Sequence, residues 1–234
     1  MSLRVDVWSD IACPWCYVGK RRLEAALEKF AHRAEVDVHW RAFELDPAAP
    51  KVQPAPVDYA ARLAKKYGTA PARAQQMIDS MTDVAKQDGL DFRFDKIRPG
   101  NTFDAHRLIH LASLRGKQDA VKERFLRAYM TEGEPIGDRE VLARLAVEAG
   151  LDEAEVIDAL ASDAHAKDVR EEEDAARELG ISGVPFFVIG GRYAVSGAQP
   201  VEVLLRALQH GWDAAKKPAL ETISGEVCGP DGCA

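Results

Sequence analysis

Apolar and polar residues alternate through Leu3, Val5 and Val7, with Arg4 and Asp6 between them, and this period of two predicts a strand. After Cys13 the period lengthens, so that Leu23, Ala26, Leu27 and Phe30 share one helical face. Residues 35–43, EVDVHWRAF, alternate again, and a strand, a helix and a strand in succession open an α/β sheet. Four prolines in residues 46–58 fit neither period, and the stretch reads as a linker.

A long helical region follows. Amphipathic spacing predicts helices over 58–67, 71–88, 102–115, 118–131, 138–149, 152–161 and 163–179. One boundary is well marked: Gly150 suits the position just past a helix, and Asp152 with Glu155 forms a capping-box-like start. Leu151 and Val156 are spaced as a hydrophobic staple across it. The two-residue period returns in GVPFFVIGGRYAVSG, residues 183–197, as two strands joined by a two-residue hairpin turn at Gly190-Gly191. Pro200 then suits the first turn of a last helix carrying Leu204, Leu205 and Leu208, with Gly211 ending it. The order β-α-β, helical insertion, β-β-α predicts an α/β fold. Residues 1–45 and 181–212 would form a discontinuous sheet domain, 46–180 a helical insertion domain and 213–234 a tail.

Composition narrows the partners. The chain has 234 residues, 47% hydrophobic and 29% charged, with a net charge of −7. That balance argues against nucleic acid or an anionic membrane as the main partner. No apolar run reaches the roughly 18 residues of a membrane span. The N-terminus MSLRVDVWSD lacks a signal-peptide core, so a cytoplasmic location is expected. Four cysteines are too few for a disulfide scaffold, and cytosolic pairs are more often catalytic, redox-sensing or metal-binding.

The first pair, Cys13 and Cys16 in CPWC, falls where the first strand gives way to a helix. Pro14 suits the first helical turn, where a missing N–H costs nothing. The free N–H groups and dipole of a helix start favour negative charge, so a thiolate at Cys13 is expected to be exposed and stabilised. Cys16 lies close enough to attack a mixed disulfide formed there, as thiol–disulfide exchange requires. Half of a zinc site and two packed core thiols are the other readings of the same pair. Val184-Pro185 precedes the β-prone run FFVI, and a cis peptide in a tight turn is one way to accommodate it.

Taken together, SDIACPWC, FELDP (43–47), NTFDAHRL (101–108), ISGVPFFVI (181–189) and SGAQP (196–200) resemble the DsbA-like thioredoxin family, in particular its FrnE-type cytoplasmic branch. The resemblance runs from about residue 3 to residue 212. It implies a thioredoxin-like fold with a large helical insertion and protein disulfide oxidoreductase activity without a cofactor or metal. It also implies Cys13 as attacking thiol and Cys16 as resolving thiol. Val184-Pro185 would be the cis-proline loop that pairs with a substrate peptide, and Pro14 and Trp15 would border it. Glutathione-dependent isomerases and kappa-class glutathione transferases belong to the same superfamily and resemble the chain around FELDP, NTFDAHRL and SGAQP. A serine usually replaces the first cysteine there. Partners are therefore protein thiols and disulfides, with glutathione as the rival; a redox-sensing interaction protein is a further alternative.

Cys228 and Cys233 bracket GPDG, a turn-forming tetrapeptide. The resemblance includes an extra C-terminal cysteine pair, which implies a relay that recharges the first; an idle tail disulfide is the plainer reading. A zinc held by all four cysteines fits their spacing poorly. His106 and His110 stand at i, i+4 but lack the acid of a zinc motif, so a surface or lid-packing role is expected, with His106 lining the active-site side. Asp10 is expected to cap the first helix, with proton acceptance near the cysteines as the alternative. Lys20, Arg21 and Arg22, and separately the acidic run 171–174, read as solvated faces.

Overall fold

In the computed structural model, which describes residues 2–52, 58–216, 228–229 and 232–233, the alternating segments join one mixed four-stranded sheet. β1 (Leu3–Ser9) is central, parallel to β2 (Val36–Ala42) and antiparallel to β3 (Phe186–Ile189), which pairs in turn with β4 (Tyr193–Ser196). The order is β2-β1-β3-β4. Register sets Val5 against Ile189 and Val7 against Phe187, and all four side chains are fully buried. α1 (Pro14–Lys29) links the parallel strands. α9 (Val201–Lys216) packs against α1 and the sheet.

Between β2 and β3 lie α2 (Tyr59–Tyr67), α3 (Pro71–Gln87), α4 (Phe103–Leu114), α5 (Gln118–Arg127), α6 (Arg139–Glu148), α7 (Glu153–Ala161) and α8 (Ala166–Glu178). This is a thioredoxin fold carrying a helical insertion. α4 is the hub, packed against α5, α7 and α8, while α5 and α8 both touch β2. Trp8 faces α8, its indole N–H donating to the Glu172 carbonyl at 3.0 Å. The boundary at Gly150 forms as expected: Asp152 accepts from the Glu155 N–H at 3.0 Å, and Leu151 and Val156 are buried.

Several local expectations fail for tertiary reasons. Gly211 does not end the last helix but sits inside α9, buried. A Cβ there would meet Ile189 Cγ2 at 2.6 Å, so the glycine serves close approach of helix to sheet. The hairpin connection is three residues long, because the ladder sets Tyr193 opposite Ile189 and leaves Arg192 over. Both glycines still occupy the turn at positive φ, closed by the Arg192 N–H on the Ile189 carbonyl at 3.2 Å. The α5 helix widens after Arg127 into a π turn over Ala128–Glu132. The described part of the proline-rich stretch is pinned to α4's leading segment by the Asn101 N–H on the Pro50 carbonyl at 3.1 Å. Residues 53–57 lie outside the described residues.

Neither charged run is simply solvated. Lys20 is 1% exposed and forms ion pairs with Glu24, Asp119 and Glu123, while Arg22 reaches Asp88 at 3.0 Å. In the acidic run, Glu172 and Glu173 turn inward: Glu172 accepts from Arg41 and from the Ala42 N–H, and Glu173 from Arg170. Glu171 and Asp174 stay exposed. The insertion helices supply countercharges that sequence spacing alone does not reveal.

Candidate active site

Cys13 is the N-cap residue of α1, with Pro14 opening the helix. Its own N–H donates to the Asp10 carbonyl at 3.3 Å, and its carbonyl accepts from the Cys16 N–H at 3.1 Å. Both cysteines are free thiols. Cys13 is 5% exposed and opens onto a cavity, whereas Cys16 is 0% exposed behind it. The expectation of an exposed Cys13 is therefore corrected: the sulfur is reached only through the cavity.

The Val184-Pro185 peptide is cis, Pro185 is buried, and the Cys13 thiol donates to the Val184 carbonyl at 3.5 Å. Gly19 lets this loop approach. A Cβ on it would come within 2.8 Å of Pro185 Cγ, so α1 and the proline loop pack together only because that position lacks a side chain. Trp15 is exposed at the rim and Pro14 half-buried. The cavity, about 660 Å3, runs from Cys13 beneath α2 and α3. Tyr59, Leu63, Met81 and Phe94 form an apolar wall, and Arg62 and Lys65 border it. Burial, followed by the neighbouring Cys13, pushes the Tyr59 hydroxyl up to about 12.

The sulfurs share their ionisation. The Cys13 thiol is pushed up by its hydrogen bond with Cys16 and by burial. Cys16 is drawn down: burial opposes its charge, but the Cys13 thiol, the Lys122 ammonium and the Ser9 hydroxyl outweigh it. Of the two sulfurs the buried one is thus the more readily ionised, the reverse of what the helix-start argument expects, because the Cys13 thiol and then the Lys122 ammonium of the insertion favour charge on Cys16. Lys122 on α5 is 0% exposed and donates to the Ser9 carbonyl at 3.0 Å. Burial pushes it down to about 8 against the opposing pull of Cys16 and Asp10.

Asp10 does not cap α1, which has no side-chain cap. Its carboxylate turns into the protein, 1% exposed, accepting from the Leu45 N–H at 2.8 Å and the Ala12 N–H at 3.3 Å. His106 is likewise buried, which fits lid packing and not a surface role, with Nε2 3.4 Å from Asp10 Oδ1 but without a well-formed hydrogen bond. Burial disfavours charge on Asp10, yet His106, the Leu45 N–H and Thr102 hold its carboxyl below the ordinary value. His110 pairs instead with Glu172 at 3.0 Å, and no group of three metal-ligating side chains occurs among the described residues.

The fold thus gathers Asp10, Cys13, Pro14, Trp15 and Val184 at one cavity, with Cys16, Pro185 and His106 behind. Cys228 and Cys233 are opposite one another on two short antiparallel strands, β5 (Cys228–Gly229) and β6 (Gly232–Cys233). Pro230 and Asp231 lie outside the described residues. Lys122 escapes the sequence reading, though a signal exists: Phe125, Leu126 and Tyr129 follow at i+3, i+4 and i+7, so the lysine stands in an apolar stripe.

Comparison with known proteins agrees with this architecture. The chain is 31% identical to YwbO, an uncharacterized protein of Bacillus subtilis, over 89% of its length and 96% of that protein's. It is 47% identical to a probable DsbA oxidoreductase from Streptomyces coelicolor, with a TM-score of 0.86 over 99% of this chain and 98% of that one. The fold of cytosolic disulfide reductase DsbM from Pseudomonas aeruginosa, solved with GSH, matches at 20% identity and a TM-score of 0.63, over 90% of this chain and 99% of that one. Residues 4–209 match the model of the DSBA-like thioredoxin domain, and the chain accordingly belongs to that family of oxidoreductases.

Proposed function

We propose that the protein exchanges disulfides with protein substrates through Cys13 and Cys16. The observation that carries this reading is the pairing of a cavity-facing Cys13, hydrogen-bonded to the Val184 carbonyl beside cis Pro185, with a buried Cys16 one helical turn behind. Attack begins when the shared proton moves to Cys16, leaving the thiolate on the sulfur that substrate can reach. Cys13 then displaces one half of a substrate disulfide, which leaves as a thiolate and takes a proton from water. Cys16 gives its proton to water and attacks Cys13 Sγ; the bond from Cys13 to the substrate sulfur breaks as the internal disulfide closes, and the second half leaves as a thiolate that takes a proton from water. Two electrons pass from the dithiol to the substrate, and the reverse sequence oxidises a substrate dithiol. Sulfur carries the electrons, so no cofactor enters.

Substrate displaces the Cys13 thiol from the Val184 carbonyl, freeing that carbonyl to pair with an extended peptide, a mode that tolerates many sequences. Exposed Trp15 and half-buried Pro14 border that peptide. Cys228 and Cys233, opposite each other on paired strands, suit a relay that recharges the first pair. The net charge and the absence, among the described residues, of a helix able to cross a membrane are compatible with the FrnE-type cytoplasmic setting.

A glutathione reading has its own support: the cavity beside Cys13 has the size of a small-molecule site, and DsbM was solved with GSH. Substituting each cysteine separates the readings. Cys16→Ser should accumulate mixed disulfides with protein partners, and Cys13→Ser should lose exchange. Full exchange by Cys13→Ser would overturn the proposal, and undiminished glutathione-dependent turnover by Cys16→Ser would favour the second reading.

A further inference from the structure

Among the described residues two lysines are almost wholly buried, and both stand near Trp40, with Nζ 5.9 Å (Lys20) and 5.8 Å (Lys122) from the indole centre. Lys20 is neutralised by three carboxylates. Lys122 has no ion pair among the described residues; its one protein hydrogen bond there goes to the Ser9 carbonyl. A buried ammonium without a countercharge is strongly disfavoured, because burial removes the water that would solvate it. Among the described residues, the ionisable groups that face it are Cys16 on α1, Cys13 at its N-cap, Asp10 in the preceding loop and Glu172 on α8. Asp10 and Glu172 are each engaged elsewhere, with Leu45 and His106, and with Arg41 and His110. Among these groups Cys16 exerts the largest pull on the Lys122 ammonium, ahead of Asp10.

From this juxtaposition we infer that Lys122 is a positioning residue that holds the negative charge of the reduced pair on Cys16, so that the helical insertion sets the redox poise of the site. The inference rests on the exchange reading above. Lys122 keeps its proton while Cys16 attacks. Cys16 Sγ bonds to Cys13 Sγ, the bond from Cys13 to the partner sulfur breaks, and the partner leaves as a thiolate that water protonates. Once the disulfide is closed, neither sulfur is charged, and the ammonium loses its countercharge. Lys122 therefore stabilises the dithiol over the disulfide and makes the pair more oxidising. By the same linkage, closing the disulfide loosens the proton on Lys122.

Lys122→Met keeps the length of the stem and removes the charge. In graded glutathione buffers the variant should favour the closed disulfide about tenfold more than the wild type, equivalent to a potential about 30 mV more negative. In a Cys13→Ser background, ultraviolet thiolate absorbance should show about a tenfold smaller Cys16 thiolate fraction at neutral pH when Lys122 is also replaced. Nitrogen NMR of labelled lysine in the unsubstituted protein needs no variant to fold: Lys122 should titrate at higher pH in the reduced than in the oxidised form. A reversible disulfide with the same equilibrium in both proteins, or one Lys122 titration in both redox states, would overturn the inference. A first pair that never closes would instead count against the exchange reading, and the Cys16 absorbance then decides the role of Lys122 by itself.

Discussion

Gly19→Ala is the sharpest test of how the site is assembled. The added methyl would lie 2.8 Å from Pro185 Cγ, 3.3 Å from Pro185 Cβ and 3.4 Å from Phe187 Cζ. Carbon atoms pack at about 3.5–4.0 Å, so roughly 0.7 Å or more must be recovered. A buried proline ring has no rotamer with which to yield, and Phe187 is fully buried. Overpacking of this kind costs about 1–3 kcal/mol. Alanine recovers about 1 kcal/mol as a better helix former than glycine. The net loss of stability is thus about 0–2 kcal/mol, too small to decide alone. Geometry is more sensitive, because moving Pro185 moves the Val184 carbonyl, 3.5 Å from Cys13 Sγ. Misplacement approaching 1 Å at a reacting centre can slow chemistry by about 100-fold, so a fall of about 10- to 100-fold in the rate of reaction with a peptide disulfide is expected. Gly183→Ala is the control, since nothing lies within 4 Å of its Cβ position. Denaturant melts and stopped-flow Trp fluorescence read the two effects separately. A variant about 1 kcal/mol more stable than wild type, reacting at the wild-type rate, would refute the packing argument.

Other predictions follow from buried polar groups. The carboxyl of Asp10 is held below its ordinary value of 3.8, so its stabilising contribution is complete above the unfolded value and disappears as pH falls through the folded one. Asp10→Asn should cost about 1–3 kcal/mol near neutral pH and progressively less in acid, measured by urea midpoints across that range; a constant difference would refute the assignment. Arg107, 2% exposed, donates to the Ala159, Ser162 and Ala164 carbonyls and to Asp104, tying α4 to α7 and the turn after it. Arg107→Met should cost about 3–5 kcal/mol while leaving the exchange rate near wild type below its melting transition, as melts and rate measurements on one preparation would show.

Periodicity along the chain determined most of the elements. The alternation through Leu3–Val7, the spacing around Leu23 and Phe30, and the capped boundary at Gly150–Val156 each made the structure they predict, because these signals are local to a few residues. CPWC and Val184-Pro185 likewise point to the exchange chemistry proposed above, and the fold brings Cys13 and Val184 to one cavity. Tertiary structure decided where charge goes. A charged side chain is equally at home on a solvated face or in a buried pair, and only the partner's position chooses. Lys20 and Glu172 moved inward because elements distant in sequence met them, α5 with carboxylates for Lys20 and β2 with an arginine and a backbone N–H for Glu172. Asp10 turned from the helix start toward Leu45 and His106 for the same reason. The glycines behave similarly: Gly211 reads as a helix stop and Gly19 as an unremarked helical position, until the neighbours that exclude a Cβ are in place. Lys122 is the clearest case, since its stripe marks it as buried, but only the fold sets it beneath Cys16.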